Sequence, residues 1–241
     1  MKKKIFFAVV GIILVAILIF FAFRKELPLS TPEAAGLVWQ ECLLAEGYGN
    51  WHQAQECFGL PEPTWEREDG SNYSKRVGMD DFQLNIGEDI YQTHRMGSFF
   101  SFEVYSLSRN NWPISFQLGE FIAHSPNIGL DDVAGKPVWE FVAIDTPTII
   151  YNGRNLRQLY NLDQAFSPYS LNGKLVFLGQ QADRYFVVYD GKRLSPDYED
   201  VIHAYCCEAF MYSPGGNQGR YLFNATRDGN NYLVMLMSSQ P

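Results

Sequence analysis

The stretch Glu199–Glu208 reads E-D-V-I-H-A-Y-C-C-E and gathers most side-chain chemistries a site could use. His203 beside Asp200 or Glu199 has the composition of a general base and its orienting carboxylate. Cys206 and Cys207 are adjacent in the chain. They could close a vicinal disulfide, cross-link to Cys42 and Cys57, or remain thiols, and the sequence leaves the three open. Glu199, Asp200, His203, Tyr205, Cys206 and Cys207 together form the candidate binding loop. No Gly-x-Ser-x-Gly elbow occurs in the chain, so the commonest hydrolase nucleophile is missing. No catalytic residue, cofactor-binding residue or metal ligand is assigned from the sequence, and no cofactor is expected.

Cys42 and Cys57 are the second feature with chemistry. A disulfide between them is the favoured reading; a metal site with His52 would offer only three soft ligands. The acidic pairs Asp80-Asp81, Glu88-Asp89 and Asp131-Asp132 lie in no Asp-x-Asp-x-Asp-Gly loop, so they read as solvated turns rather than calcium sites. Trp112, Trp139 and the many tyrosines, as a group, read as core and sheet-edge residues rather than a sugar-stacking platform. Asn72-Tyr73-Ser74 and Asn224-Ala225-Thr226 match the glycosylation sequon.

The elements that would position these residues fall into two regions. Ser30-Thr31-Pro32-Glu33 has the form of a capping box, and Gly47 could close the helix it starts. Asn50 to Gly59 predicts a second helix, making 26–60 a helical hairpin stapled by Cys42 and Cys57. Residues 61–80 are rich in Pro, Gly and charge and read as a linker. From 81 to 241 the chain is dense in strand signals, punctuated by Asp-Gly and Asn-Gly. Predicted strands include Phe82–Ile86, Val138–Ile144, Thr148–Tyr151, Lys174–Leu178, Tyr185–Tyr189, Arg220–Asn224 and Tyr232–Met237.

Within this region T-I-I-Y-N-G-R-N-L at 148–156 recurs 38 residues later as F-V-V-Y-D-G-K-R-L at 186–194. A fixed period points to one copied strand–turn–strand unit. Gly135-Lys136, Gly173-Lys174 and Gly219-Arg220 follow spacings of 38 and 46 residues. The third unit carries six extra residues, which fall inside Glu199–Glu208 and mark it as a loop on a scaffold.

Ser167-Pro168 with Asn172-Gly173-Lys174-Leu175-Val176-Phe177 resembles the TolB-like β-propeller repeat. So does Ser213-Pro214 with Gly219 to Phe223 and Arg227-Asp228-Gly229-Asn230. The resemblance covers about residues 123–237 and implies a scaffold for protein or ligand contact. The expected fold class is therefore mainly β, with about four antiparallel propeller-like blades, either closed into a ring or left as an open or incomplete one. A transmembrane helix and the helical hairpin would precede them.

The N-terminus completes the expectation. Lys2, Lys3 and Lys4 precede an uncharged run from Ile5 to Phe23, which Arg24 and Lys25 close. Such a run spans roughly 28 Å as a helix, about the thickness of a bilayer's hydrocarbon. Residues 1–25 therefore read as an uncleaved anchor, with the membrane as partner through 5–23, the N-terminus inside and the C-terminal domain extracytoplasmic. Beyond residue 25 stand 14 Lys/Arg against 27 Asp/Glu, a net charge of −13. That acidity disfavours nucleic acid as a partner. The function expected is a membrane-tethered binding or envelope-interaction module without catalysis, with a protein or small ligand as partner of the β domain. The alternative is a hydrolase or lyase with a pocket near His203, Asp200 and Glu199.

Overall fold

The computed structural model describes residues 26–45, 47–49, 51–60, 75–76, 82–99, 102–120, 129–143, 146–203, 215–217 and 219–239. The N-terminal part contributes two strands, β1 (Leu29–Ser30) and β2 (Leu37–Leu43), and one helix, α1 (Trp51–Phe58). The predicted first helix is thus replaced by a strand. Pro32 starts a single 3-10 turn, which Gly36 ends in the left-handed region at φ +73°. Leu37 to Leu43 then pair along a neighbouring strand from Ser238 back to Tyr232. Val38 and Trp39 are strand formers, and cross-strand packing outweighs the local capping signal. The helical hairpin is corrected to a strand and a helix, joined by the predicted disulfide between Cys42 and Cys57.

Among the described residues four sheets carry the rest, and each is built mainly from consecutive antiparallel strands. The first holds β3 (Lys75–Arg76), β4 (Phe82–Ile86), β5 (Asp89–Phe99), β6 (Phe102–Arg109) and β7 (Trp112–Glu120). The second holds β8 (Gly129–Val133), β9 (Lys136–Ala143), β10 (Thr146–Tyr151) and β11 (Arg154–Asn155), followed by the short helix α2 (Leu156–Tyr160). The third holds β12 (Gln164–Leu171), β13 (Lys174–Gln181), β14 (Arg184–Tyr189) and β15 (Lys192–Tyr198), with β1 added in parallel to β15. The fourth holds β16 (Asp200–Val201), β17 (Gly215–Asn217), β18 (Arg220–Arg227) and β19 (Asn230–Ser238), with β2 beside β19.

Two-residue turns close most of these hairpins. Asn152-Gly153, Asn172-Gly173, Asp190-Gly191 and Asp228-Gly229 have positive φ at both residues, as a type I′ turn requires. The two segments 38 residues apart adopt the same hairpin. Lys136 lies over the Tyr151 ring and Lys174 over the Tyr189 ring, each 5.7 Å from the centroid. The Asn152 N–H donates to the Pro137 carbonyl and the Asp190 N–H to the Leu175 carbonyl, both at 2.9 Å.

The period of two along these strands sends alternate side chains into different cores. On β9, Trp139 packs with Leu84, Tyr91 and Leu107 of the first sheet, while Val138 packs with Phe177 and Val188 of the third. On β13, Leu175 and Phe177 face the second sheet, while Val176 and Leu178 join Tyr221, Phe223 and Val234 of the fourth. The middle sheets are buried on both faces, which is why their strands read as continuous apolar runs. Among the described residues none of the sheets closes into a barrel or propeller, which corrects the expected propeller-like array. The physical reason lies at the ends of the stack. Leu233 and Met235 of the fourth sheet are covered by Ala54 and Phe58 of α1 with Leu60, so that face has no further blade to receive. At the other end, Gln83, Asn85, Gln92 and His94 give the first sheet a polar outer face.

The single-pass expectation, with its extracytoplasmic C-terminal domain, is corrected as well. Among the described residues no helix is long and apolar enough to cross a membrane. The segment expected to span, 5–23, lies outside the described residues.

Candidate functional site

The candidate loop leaves β15 along the edge of the fourth sheet. The Glu199 N–H donates to the Thr226 carbonyl at 2.8 Å, and Asp200 and Val201 pair with Thr226 and Ala225. Strand alternation turns Asp200 outward and buries Val201. The Ile202 N–H then donates to the Asn224 carbonyl at 3.1 Å, which carries His203 over the third sheet. The Glu199 carboxylate lies 3.7 Å from Arg184 at the surface. Neither expected carboxylate is therefore the one that meets His203. Tyr205, Cys206 and Cys207 lie outside the described residues.

The carboxylate that does meet His203 is Glu140, from β9 in the second sheet. His203 Nε2 and Glu140 Oε1 are 4.0 Å apart, with side-chain exposures of 12% and 30%. The imidazole lies against the Phe166 ring, their centroids 4.1 Å apart and their planes tilted by 41°. Glu140 Oε1 also accepts the Ser167 N–H at 2.6 Å. Ser167 has φ +54° and sits where the pairing of β12 with β13 shifts register between Phe166 and Tyr169. That shift is a β-bulge, which frees a backbone N–H from the ladder for a side-chain acceptor. On the other side Tyr221 of β18, fully buried, donates its hydroxyl to the Ser167 carbonyl at 2.7 Å. The bulge is thus held by side chains from two neighbouring sheets.

Electrostatics favours the uncharged forms throughout. Burial pushes the Glu140 carboxyl up to about 7, against the opposing pull of the Ser167 N–H. Burial pushes the His203 imidazole down to about 4. The Tyr221 hydroxyl is raised well above its ordinary value, by burial and then by the nearby Glu140. A carboxylic acid beside a neutral imidazole is an acid and a base held apart in protonation by their surroundings. Chemically the pair can pass a proton or seat a chain segment.

Other sequence features resolve separately. Cys42 and Cys57 are bonded to each other, so neither is a thiolate ligand beside His52. Among the described residues no group of three His, Cys, Asp or Glu side chains is placed to hold a metal ion. Asn224 of the second sequon is buried, its amide accepting the Gly49 N–H at 2.7 Å and donating to the Gly49 carbonyl at 2.9 Å. Trp139 is core, its indole N–H donating to Thr93 at 3.0 Å, whereas Trp112 begins the edge strand β7 and is 78% exposed.

One cluster escaped the sequence reading altogether. Arg227 makes a two-pronged contact with Glu41 at 2.8 and 2.6 Å, and the Tyr198 hydroxyl donates to the same carboxylate at 2.5 Å. The Trp39 indole N–H adds a fourth bond at 3.2 Å. Burial would raise the Glu41 carboxyl, but Arg227, Tyr198 and Trp39 bring it below its ordinary value. The Tyr198 hydroxyl thereby ties the third sheet to the fourth, where Trp39, Glu41 and Arg227 stand. No family model, no curated protein and no solved structure matches this chain.

Proposed function

We propose that this chain is a non-catalytic protein-binding module, in which a stack of β-sheets presents the β5–β7 region of the first sheet to a partner protein. One observation supports this most. Ile90, Met96, Trp112 and Ile114, four of the large apolar side chains exposed among the described residues, all lie on β5 and β7. An exposed Trp with a polar rim has the make-up of a binding anchor. The rim here is the Arg109–Asp89 ion pair, 2.5 Å long, with Asn110 also donating to Asp89. The TolB-like pattern of residues 123–237 adds to the reading, since such repeats imply scaffolds for protein contact.

The test is a photo-crosslinking competition in extract of the source cells, with a crosslinking amino acid placed at position 114. The reading expects a discrete adduct that unlabelled wild-type protein competes away and Trp112→Ser does not. Equal competition by the variant would refute this surface.

A second reading, a hydrolase or lyase, draws on the Glu140–His203 pair, because opposed protonation preferences at one place often accompany acid–base catalysis. Asp200 and Glu199 take no part in it. Turnover of an ester, glycoside or phosphoester that Glu140→Gln and His203→Gln both abolish would favour that reading over the first.

A further inference from the structure

The outer face of the fourth sheet is covered by a short helix. Strand pairing sets Asn224, Leu233 and Cys42 side by side across β18, β19 and β2, with Leu222, Met235 and Gln40 in the next row on the same face. Helix α1 lies on this face. Its Ala54 is buried with Leu233, Met235 and Leu60, and Phe58 packs beside them. At 8 residues, α1 falls short of the roughly 12–15 that a helix needs to persist alone in water. Two attachments help to hold it down. Ahead of the helix, Gly49 is fixed to Asn224 by two hydrogen bonds. In its last turn, Cys57 is bonded to Cys42 of β2.

We infer that the Cys42–Cys57 bond is a redox latch: its reduction by a dithiol frees α1 from the fourth sheet and uncovers Leu233 and Met235, while the stacked sheets stay folded. Both cysteines are half-buried, which leaves the bond open to a reductant. A thiolate of the dithiol attacks one sulfur, the Cys42–Cys57 bond breaks and a mixed disulfide forms. The dithiol's second sulfur then displaces that cysteine, leaving an oxidised dithiol and two cysteine thiols. Two electrons and two protons pass to the protein. The bond closes a separation of 15 residues, and cutting it returns to α1 the freedom that closure removed. Gly49, still on Asn224, is the hinge. The sheet beneath does not depend on the latch. All of β2 from Leu37 to Leu43 pairs with β19, and on its inner face Glu41 is held by Arg227 and Tyr198. Among the described residues, the core between the third and fourth sheets draws Leu37 and Trp39 from β2 and nothing from α1.

Amide hydrogen exchange on the full chain, with and without dithiothreitol at constant pH, tests the latch. With the bond cut, the amides of Gln55 through Gly59 should lose protection by about tenfold or more, while those of Val234 and Leu236 in β19 stay protected. Cys42→Ser combined with Cys57→Ser should exchange like the reduced protein, and dithiothreitol should change its helix no further. Unchanged protection of α1 in the reduced wild type would overturn the inference, since the bond would then be a passive staple. So would loss of protection throughout β19, or failure of the double variant to fold, because the bond would then hold the whole stack. A response of α1 to dithiothreitol in the double variant would trace the effect to Cys206 and Cys207, and would overturn it as well.

Discussion

Replacing either member of the Glu140–His203 pair should expose a pH dependence of stability that the wild type conceals. The Glu140 carboxyl moves from 4.5 to about 7 on folding, so the folded state keeps its proton longer than the unfolded chain. Its contribution is complete below pH 4.5 and is lost as pH rises through 7. The His203 imidazole moves the other way, from 6.5 to about 4. Its contribution is present above pH 6.5 and is lost as pH falls through 4. At roughly 1.4 kcal/mol per pH unit each shift is worth about 3 kcal/mol, and solvent contact at Glu140 reduces its share to about 2 kcal/mol. Between pH 4.5 and 6.5 the two slopes oppose and nearly cancel. Urea unfolding of the wild type at half-unit steps should therefore give an almost flat profile from this pair. Glu140→Gln should become more stable with rising pH, by about 1 kcal/mol per unit from 4 to 6.5. His203→Gln should become less stable over 4.5 to 7 by a similar slope. If both variants kept the wild-type profile, or if their slopes had the opposite signs, the pair would be an ordinary ion pair and the reasoning would fail.

Three further outcomes follow from the same structure. Glu41→Gln removes the anion facing Arg227, and should lower unfolding free energy by about 2–3 kcal/mol at pH 7. Because the Glu41 carboxyl is held below its ordinary value, that difference should shrink as pH falls below about 4.5, which urea titrations at pH 7 and pH 3.5 would read. Reduction of the Cys42–Cys57 bond, which closes a separation of 15 residues, should destabilise the chain by about 3 kcal/mol in thermal unfolding with and without reductant. Asn224→Ala strands the buried Gly49 N–H and carbonyl together, a loss of about 2 kcal/mol or more in urea unfolding.

The parts of this fold that were legible in the sequence are those fixed by local chemistry. Asn-Gly and Asp-Gly dipeptides demand positive φ and gave the hairpin turns at 152–153, 172–173, 190–191 and 228–229. Uninterrupted apolar runs such as Leu175–Leu178 gave strands buried on both faces. Signals shared by two structures misled. Ser167-Pro168 has turn chemistry, yet it lies within β12 as a bulge, so the strand Gln164–Leu171 went unread. Ser30 to Glu33 has a helix-start pattern, but only a 3-10 turn follows before β2 pairs with β19. Of the candidate loop, His203 was visible as a residue of interest and its true neighbour was not. Glu140 stands 63 residues earlier in the chain and reads as one polar position in an apolar strand. Only the stacking of the second sheet on the third brings it to the bulge. The Glu41–Arg227 contact, spanning 186 residues, is invisible for the same reason.

The most direct test of the site is to titrate its two groups in solution by NMR, following the His203 Cε1–H proton and the Glu140 side-chain carboxyl carbon. The account predicts that His203 stays neutral down to about pH 4 while Glu140 inflects near 7. A His203 inflection at or above 6.5, with Glu140 ionising near 4.5, would contradict it.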